Sequence, residues 1–323
     1  MKILPRQTQS GQALLVILLS MAVILTLVLS VASSSITDVT VTTFEEDALR
    51  AFSAAEAGVE KALLSGVGSG GSVQVDPTSD PNLTYTSTIS NPAAGQDFAY
   101  PGELNAGESA TFWFVERNNS GNFICAGNCS SGPNLQRLCF GVHSPFYSAG
   151  EVPAVVLSVY YDWNTAANTI GNLVSSQDFT HLKVARRGYD PVAARLPSNN
   201  FTNAQTSTCT IGGTNFGYRV NPALMLFSDM GIPINCRNTD GCLIMAKVKV
   251  LYNDSTLSDD PIIQRERVAI SKPSAGGLPA QGNQIESVGS AGDSTRKVNV
   301  FQAYPEPPGI FDSALFSSSD ISK

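Results

Sequence analysis

Six cysteines are the residues whose type and spacing most clearly allow chemistry in this chain. All six follow a long apolar segment near the amino terminus, which would place them outside the cytoplasm, where an even number of cysteines indicates disulfides. The spacings C-x3-C and C-x5-C also admit zinc, but the doubled C-x2-C form is missing and His143 is the only histidine near them. The sequence therefore favours disulfides over a metal site. The cysteines are Cys125, Cys129, Cys139, Cys209, Cys236 and Cys242.

The pairing of these cysteines is only partly predictable, because six cysteines allow many connectivities. We expect Cys236 to pair with Cys242 around the turn at 237–241, and two of the first three cysteines to pair locally. Cys209 would then need a partner that is distant in sequence.

Catalytic chemistry finds little support in the sequence. Only two histidines occur, His143 and His181, and no nucleophile-elbow motif accompanies them. The glycine-rich stretches at 66–71 and 274–277 lack the Lys-Ser or Lys-Thr that follows the glycines of a phosphate-binding loop. We predict that the chain is not an enzyme and needs no cofactor.

One basic cluster, Lys183, Arg186, Arg187 and Arg195 with Tyr189 between them, stands out in a chain of formal net charge −7. DNA, an anionic glycan or an acidic neighbouring subunit are candidate partners for such a cluster. The aromatic interleaving of single-strand binders is nearly missing, and the overall charge repels nucleic acid. An ordinary strand and loop surface is the favoured interpretation.

An acidic loop supplies the oxygen atoms that calcium prefers, at Asn253, Asp254, Asp259 and Asp260. The spacing differs from that of a helix-loop-helix calcium site. A turn stabilised by side-chain capping is the favoured alternative.

A long amino-terminal helix determines where all these residues lie. The segment Ala13–Ala32 contains only three polar side chains, all hydroxyls, and about 20 such residues span a hydrocarbon core. The leader Met1–Gly11 carries Lys2 and Arg6 and no acidic residue, so it stays in the cytoplasm while the chain beyond the helix faces outward. An ordinary secretory signal is the alternative, but its apolar region would be shorter.

The helix is expected to continue beyond the membrane, because no proline or glycine interrupts residues 12–57. Apolar residues there recur at spacings of three and four, which places them on one face. This stripe should pack on the rest of the chain or on sister helices. It consists of Phe44, Ala48, Phe52, Ala55, Val59 and Ala62.

The remaining sequence favours strands and turns, since it is rich in Thr, Ser, Val, Asn, Gly and Pro. The expected fold class is α+β, with a long N-terminal α-helix, transmembrane and then amphipathic, before a mainly antiparallel β-rich globular head with disulfides. Nine runs are candidate strands, at 83–89, 109–116, 137–142, 154–162, 182–186, 222–227, 242–252, 262–271 and 296–304.

Further expectations concern single segments of this head. The run 243–252 alternates and should lie centrally in a sheet, with one face buried and the other partly solvated. Residues 279–295 are predicted to form an exposed loop, residues 66–71 a hinge, and residues 311–316 an apolar end that packs on the head. The expected organisation is a leader at 1–11, the helix at 12–66 and an extracytoplasmic head at 67–323.

Two short segments of the amino-terminal region carry a family resemblance. They are Ser10-Gly11-Gln12-Ala13-Leu14-Leu15-Val16 and the stretch Ala51-Phe52-Ser53-Ala54-Ala55-Glu56-Ala57-Gly58-Val59-Glu60. Together with the basic leader and the apolar helix, they resemble the PilX-type minor pilins of the type IV pilin superfamily. The resemblance covers roughly the first fifth of the chain, and its most specific part is the box Ala54, Ala55, Glu56, Ala57 and Gly58.

The resemblance implies processing by a prepilin peptidase, which would cut between Gly11 and Gln12 and methylate the new amino terminus at Gln12. Most major pilins have Glu at the fifth mature position, where its carboxylate is thought to neutralise the amino terminus of a neighbour. Val16 occupies that position here. The gap is similar to that of the tip-located K-type minor pseudopilin of type II secretion, and it favours a tip or low-abundance role.

The function implied is that of a type IV pilus minor pilin, first held in the inner membrane and then displayed in an extracellular filament for assembly, adhesion or surface contact. Its partners would be other pilins or pseudopilins, the prepilin peptidase, the pilus assembly platform and the membrane. Two alternatives stay open, a type II secretion pseudopilin and a membrane-anchored surface protein, adhesin or enzyme, that does not polymerise.

Overall fold

The structure of the chain is a computed structural model. It describes residues 10–65, 72–74, 83–90, 97–118, 120–127, 129–141, 151–252, 266–271, 273–275 and 278–306. The α-helices within these residues are α1 (Ser10–Ser65), α2 (Leu173–Ser176), α3 (Leu196–Asn199) and α4 (Ile234–Arg237). Two short 3-10 helices, η1 and η2, span Ala193–Arg195 and Pro222–Leu224.

The strands of the described residues are mostly short. They are β1 (Ser72–Gln74), β2 (Leu83–Ser90), β3 (Phe98–Ala99), β4 (Ser109–Trp113), β5 (Glu116–Arg117), β6 (Phe123–Ile124), β7 (Ser131–Leu135), β8 (Leu138–Phe140), β9 (Ala154–Asn164), β10 (Thr169–Ile170), β11 (Leu182–Asp190), β12 (Thr202–Asn203), β13 (Gln205–Ile211), β14 (Thr214–Val220), β15 (Leu243–Leu251), β16 (Val268–Ile270), β17 (Pro273–Ala275), β18 (Gly282–Ala291) and β19 (Ser294–Ala303).

Helix α1 is unbroken over 56 residues and begins and ends close to the predicted bounds. Its apolar half tolerates hydroxyl groups because they bond back to the preceding turn. Ser20 donates to the Ile17 carbonyl and Thr26 to the Val23 carbonyl, each at 2.8 Å. The helix ends at Ser65, directly before glycine in the sequence, the residue type most enriched after helix ends.

The chain divides into two compact units. Unit 1 comprises Met1–Leu64, Ser72–Thr88 and Glu286–Asn299, and unit 2 comprises Ser65–Gly71, Ile89–Ile285 and Val300–Lys323. Unit 1 therefore combines α1 with residues that the sequence assigned to the head. The strands that accompany α1 belong to a four-stranded sheet of order β1-β2-β18-β19.

A tight turn connects the last two strands of that sheet. Gly292 and Asp293 alone join β18 to β19, and a connection of two residues is possible only between antiparallel neighbours. Gly292 has φ 52°, a conformation that glycine adopts without steric cost.

Unit 2 is built around a sheet of order β12-β11-β9-β15-β4, with β10 paired to β9. Its long strands β9, β11 and β15 pair antiparallel, whereas β12 runs parallel to β11. The central position predicted for β15 is confirmed, because it pairs with β9 on one side and β4 on the other. Both of its faces are largely buried, however, and even Lys247 is only 3% exposed.

A second sheet of unit 2 has the order β13-β14-β8-β16-β3. One continuous hydrophobic cluster contains side chains from both sheets, among them Phe112 and Leu157 from the first and Phe140, Tyr218 and Val268 from the second. Two smaller pairs, β5 with β6 and β7 with β17, complete the described strands. The α+β class with a mainly antiparallel head is thus confirmed in its architecture.

One predicted loop is wrong, since most of residues 279–295 form β18 and the start of β19. Alternate residues of β18 are buried, but apart from Ile285 they are small or polar, for example Asn283, Ser287 and Gly289. Hydropathy does not mark such a strand, because it has little large apolar surface to bury.

Two further differences have local causes. The predicted strand at 222–227 is wrong, because the Asn221 side chain accepts a hydrogen bond from Ala223 N at 3.0 Å and starts η2. The hairpin of β13 and β14 was not predicted, although Gly212-Gly213 is a hairpin signal, with φ values of 58° and 78°. The leader up to residue 9, the hinge at 66–71, His143, the acidic loop at 253–260 and the apolar end at 311–316 lie outside the described residues.

Candidate functional site

The second half of α1 presents a face of small side chains that is buried inside unit 1. Its members recur at spacings of three and one along the helix, which keeps them on one side. They are Ala51, Ala54, Ala55, Gly58, Val59 and Ala62; all six are buried, and the five besides Gly58 are at most 8% exposed. We call this set the small-residue face.

Glycines on both sides bring this face very close to the sheet of unit 1. A methyl carbon built on Gly289 of β18 would lie 2.1 Å from the Ala51 carbonyl oxygen and 2.5 Å from Ala55 N. One built on Gly58 would lie 2.2 Å from the Ser287 hydroxyl oxygen and 2.7 Å from the Tyr85 ring. Helix and sheet backbones therefore approach to a distance that a single added carbon would prevent.

The same contact buries hydroxyl groups. Ser87 and Ser287 are inaccessible to solvent, and neither hydroxyl has a hydrogen-bond partner among the described residues. Burying an unpaired hydroxyl costs free energy. Serine is the smallest hydroxyl-bearing residue, and a larger side chain would take more of the space between helix and sheet.

The aromatic members of the predicted stripe lie elsewhere. Phe44 is 50% exposed and Phe52 44% exposed, whereas Ala55 and Val59 belong to the small-residue face. The predicted role of the stripe in assembly stays a prediction. Phe52 also lines an open groove of about 370 Å³ in unit 1, together with Glu45, Ala48, Leu49 and Arg296.

The five residues of the family box divide between two sides of α1. Ala54, Ala55 and Gly58 are buried, whereas Glu56 and Ala57 are exposed. The buried three supply the close approach to the sheet. The exposed two are available to solvent or to a partner.

The first half of α1 is apolar and uncovered. Large apolar side chains from Leu14 to Val31 are 51% to 70% exposed, and the helix is long and apolar enough to cross a membrane. Val16 is 59% exposed. Gly11 and Gln12 fall within α1, but their side chains lie outside the described residues.

All six cysteines are paired as disulfides. The predicted Cys236–Cys242 bridge is confirmed, with Cα atoms 5.2 Å apart, and the predicted local pair is Cys125–Cys129, at 5.5 Å. Cys209 has the distant partner that its position required, Cys139, at 6.0 Å. This last bridge joins β13 to β8, and β14 lies between them in the sheet.

Two arginines of the basic cluster form ion pairs with aspartates. Arg195 makes a two-pronged ion pair with the buried carboxylate of Asp190, with Nε–Oδ2 at 2.9 Å and Nη2–Oδ1 at 2.6 Å. Arg187 lies 3.4 Å from the Asp229 carboxylate. Tyr189 is fully buried, donates to the Leu224 carbonyl at 3.1 Å, and has its pKa raised by burial. The cluster is therefore mostly structural.

Asp162 is a buried carboxylate whose charge interacts with His181. Asp162 is inaccessible to solvent, and its Oδ2 accepts a hydrogen bond from Leu173 N at 2.9 Å, whereas Oδ1 has no partner among these residues. Burial raises the pKa of Asp162, and His181 partly opposes that rise. Asp162 was not predicted from the sequence, because nothing in its spacing distinguishes it from an ordinary strand-end aspartate.

Comparisons of this chain with protein-family models, with curated proteins and with solved structures found no match. The site can therefore be interpreted only from its own residues. The small-residue face fixes α1 to a sheet, and the apolar half of the same helix is exposed and long enough to cross a membrane.

Proposed function

We propose that the chain is a minor subunit of a type IV pilus-like filament, exported as a membrane-anchored precursor and displayed at the cell surface. A prepilin peptidase would cleave it between Gly11 and Gln12 and methylate Gln12. The observation that carries this proposal is α1, a single 56-residue helix with an exposed apolar half and a second half that packs on its own sheet.

The apolar half requires an apolar environment. Each Å² of apolar surface that leaves water gains about 25 cal/mol, so more than a dozen large uncovered side chains strongly favour lipid or other helices over water. A precursor satisfies this need in the bilayer, and a filament subunit satisfies it against sister helices. The same segment can thus serve both stages of the proposed cycle.

The exposed apolar residues beyond the bilayer-length segment favour a filament over a simple anchor. An anchor needs about 20 residues, which the segment up to Ala32 provides. Val41, Phe44, Leu49 and Phe52 lie beyond it and are 44% to 69% exposed. In a filament these side chains would face neighbouring subunits, which would be other pilins or pseudopilins brought together by the assembly platform.

The experiment that tests the proposal is the amino-terminal mass of the membrane-extracted chain, with and without a co-expressed prepilin peptidase. We expect a methylated terminus at Gln12 that depends on the peptidase. Gly11→Val should abolish the cleavage, because the added branched side chain occupies the space that glycine leaves open next to the scissile bond. Ala57→Val, which adds a branched side chain at an exposed residue outside the leader, serves as the matched control and should be cleaved normally.

Two other results would contradict the proposal. An intact Met1 in the presence of active peptidase would favour a membrane-anchored surface protein that does not polymerise. A terminus near Ser33 would indicate removal of an ordinary secretory signal.

A further inference from the structure

A cleft in unit 2 combines an arginine, three aromatic rings and an apolar floor. It lies beside the hairpin of β5 and β6 and has a volume of about 440 Å³. Small-molecule sites in proteins usually fall between about 300 and 1,000 Å³, so this cleft has the size of a ligand site. It is lined by Trp113, Arg117, Gly121, Asn122, Phe123, Leu173, Gln177, Phe179, Leu182, Ile244, Met245 and Pro305.

Arg117 is the only charged residue of this lining. Its guanidinium carbon lies 4.1 Å from the centre of the Trp113 ring, 4.5 Å from that of Phe123 and 5.6 Å from that of Tyr304. Cation–π contacts at these distances stabilise the charged form of the guanidinium. Burial nevertheless lowers the pKa of Arg117, so the group lacks some of the solvation that its charge would have in water.

The hydrogen bonds of Arg117 go to carbonyl oxygens alone. Nη1 donates to the Gly121 carbonyl at 3.3 Å and Nη2 to the Pro305 carbonyl at 3.2 Å. Among the described residues no carboxylate pairs with Arg117, and its Nε has no hydrogen-bond partner there. The guanidinium has more N–H donors than these two bonds use, so it can still bind an anion.

The aromatic walls of the cleft are fixed before any ligand arrives. Gln281 binds both backbone groups of Trp113, accepting from N at 2.7 Å and donating to O at 2.9 Å. Gln177 binds Phe123 in the same way, with both distances 2.9 Å. These hydrogen bonds hold the backbone of Trp113 and Phe123 in place. Little backbone conformational entropy of these two residues is therefore left to lose on binding.

The other end of the cleft is apolar. Leu173, Ile244 and Met245 form a buried floor, each at most 4% exposed. Phe179 at the rim is 57% exposed and meets Phe123 edge to face, with ring centres 6.1 Å apart. An exposed aromatic ring beside an apolar floor is typical of a site that encloses a flat or extended apolar group.

We propose that this cleft binds a small monocarboxylic acid, with its carboxylate on Arg117 and its aromatic or short alkyl body between Phe179 and the Leu173, Ile244 and Met245 floor. The carboxylate provides the counter-charge that Arg117 lacks among the described residues. A guanidinium binds a planar carboxylate through two parallel hydrogen bonds, which selects an acid over an amide. This site is independent of the filament proposal, because it involves no residue of α1.

Calorimetry on the full chain in detergent micelles tests the site, with hydrocinnamate and hexanoate as probes and titrations into empty micelles subtracted. We expect both acids to bind, and hydrocinnamamide, which has the same body without the charge, to bind at least about tenfold more weakly. This comparison uses the native chain alone, so it does not depend on whether a variant folds.

Variants then assign the binding to the cleft. Arg117→Gln should weaken hydrocinnamate binding by about tenfold or more, and Phe179→Ala, a change of an exposed residue, should weaken it severalfold. Arg219→Gln is the matched control, because Arg219 lies in the same unit and bonds Gln205 outside the cleft, and its affinity should be native. Equal affinity for acid and amide, no binding of either acid, or native affinity in Phe179→Ala would overturn the proposal.

Discussion

Single atoms decide how closely α1 approaches its sheet. Gly58 and Gly289 face each other's element at positions where a methyl group would overlap backbone or ring atoms. Elsewhere in a strand, glycine lowers stability because it loses more conformational entropy on folding than alanine does. At Gly289 the steric effect opposes and outweighs the entropic one, because the atoms that would have to move belong to the backbone of α1.

Gly289→Ala is therefore expected to destabilise unit 1, although alanine is the better strand residue. Overpacking of this kind costs about 1–3 kcal/mol, since the helix must move away from the sheet. Thermal melting of the full chain in micelles measures the effect. Ser290→Ala, at the next position of β18 and on its other face, is the control and should melt within about one degree of the native chain. A native melting temperature in Gly289→Ala would show that the contact relaxes without cost.

Asp162 contributes a pH dependence of the opposite sign to that of most acids. Burial raises its pKa above the ordinary 3.8, so the folded chain holds this proton more tightly than the unfolded chain. The stability due to Asp162 is fully present below pH 3.8 and is lost as the pH rises through the higher folded-state pKa.

Asp162→Asn should remove this loss while keeping an acceptor for Leu173 N. We expect the variant to lose less stability than the native chain as the pH rises from 4 towards 7, and denaturant unfolding at several pH values measures it. The control is Asp178→Asn. The pKa of Asp178 is lowered by hydrogen bonds from Thr180, so this variant should change the pH dependence in the opposite direction. Parallel pH profiles of Asp162→Asn and the native chain would refute the assignment.

At the scale of elements, the sequence predicts most strongly where a pattern is long and carried by large apolar residues. Helix α1 and strands β2, β9, β15 and β19 follow from such patterns. Strand β18 does not, because its buried residues other than Ile285 are small or polar. The predicted stripe contained half of the small-residue face, namely Ala55, Val59 and Ala62. The other half, Ala51, Ala54 and Gly58, escaped prediction because these residues contribute little hydrophobicity and only their contact with the sheet explains their burial.

The disulfides were predictable in part because two of them are local. The third, Cys139–Cys209, depends on a strand order that the sequence did not reveal, because β14 was not recognised. It closes a sequence separation of 70 residues, whereas Cys125–Cys129 closes 4. In the chain-entropy account a longer loop constrains the unfolded state more.

Removal of the two bridges should accordingly have unequal effects. Cys139→Ser with Cys209→Ser should cost about 4 kcal/mol of the free energy of unfolding, and Cys125→Ser with Cys129→Ser about 2 kcal/mol, by the loop-entropy estimate. Urea denaturation of each double variant under oxidising conditions measures both values. Equal losses would mean that unfolded-chain entropy does not govern these bridges.

At the scale of the whole molecule, apolar exposure is concentrated in one element. Exposed large apolar residues run along α1 from Leu14 to Leu64, and few others occur among the described residues. Helix α1 therefore has apolar surface that the rest of the chain does not cover, and neighbouring subunits in the proposed filament would cover it. Under that proposal, Val16 occupies the position where a glutamate carboxylate would be expected to pair with the amino terminus of a neighbour.

Under the filament proposal, Val16→Glu should raise the amount of the chain in sheared filaments, because a carboxylate there would neutralise the methylated amino terminus expected on a neighbouring subunit. Ile17→Glu is the matched control, since it adds the same charge one residue later, about 100° around the helix. Immunoblots of sheared fractions measure incorporation. Equal incorporation of both variants would argue against a specific charge pair.

Because α1 is unbroken, its length determines the distance between the apolar segment and the small-residue face. Its small-residue face begins at Ala51, and the apolar segment ends near Ala32, so about 18 residues, or roughly 27 Å of helix, lie between them. The head-group layer on one side of a bilayer is only about 5–8 Å deep. With the apolar half in lipid, α1 would act as a spacer that holds its sheet-binding half clear of the head groups.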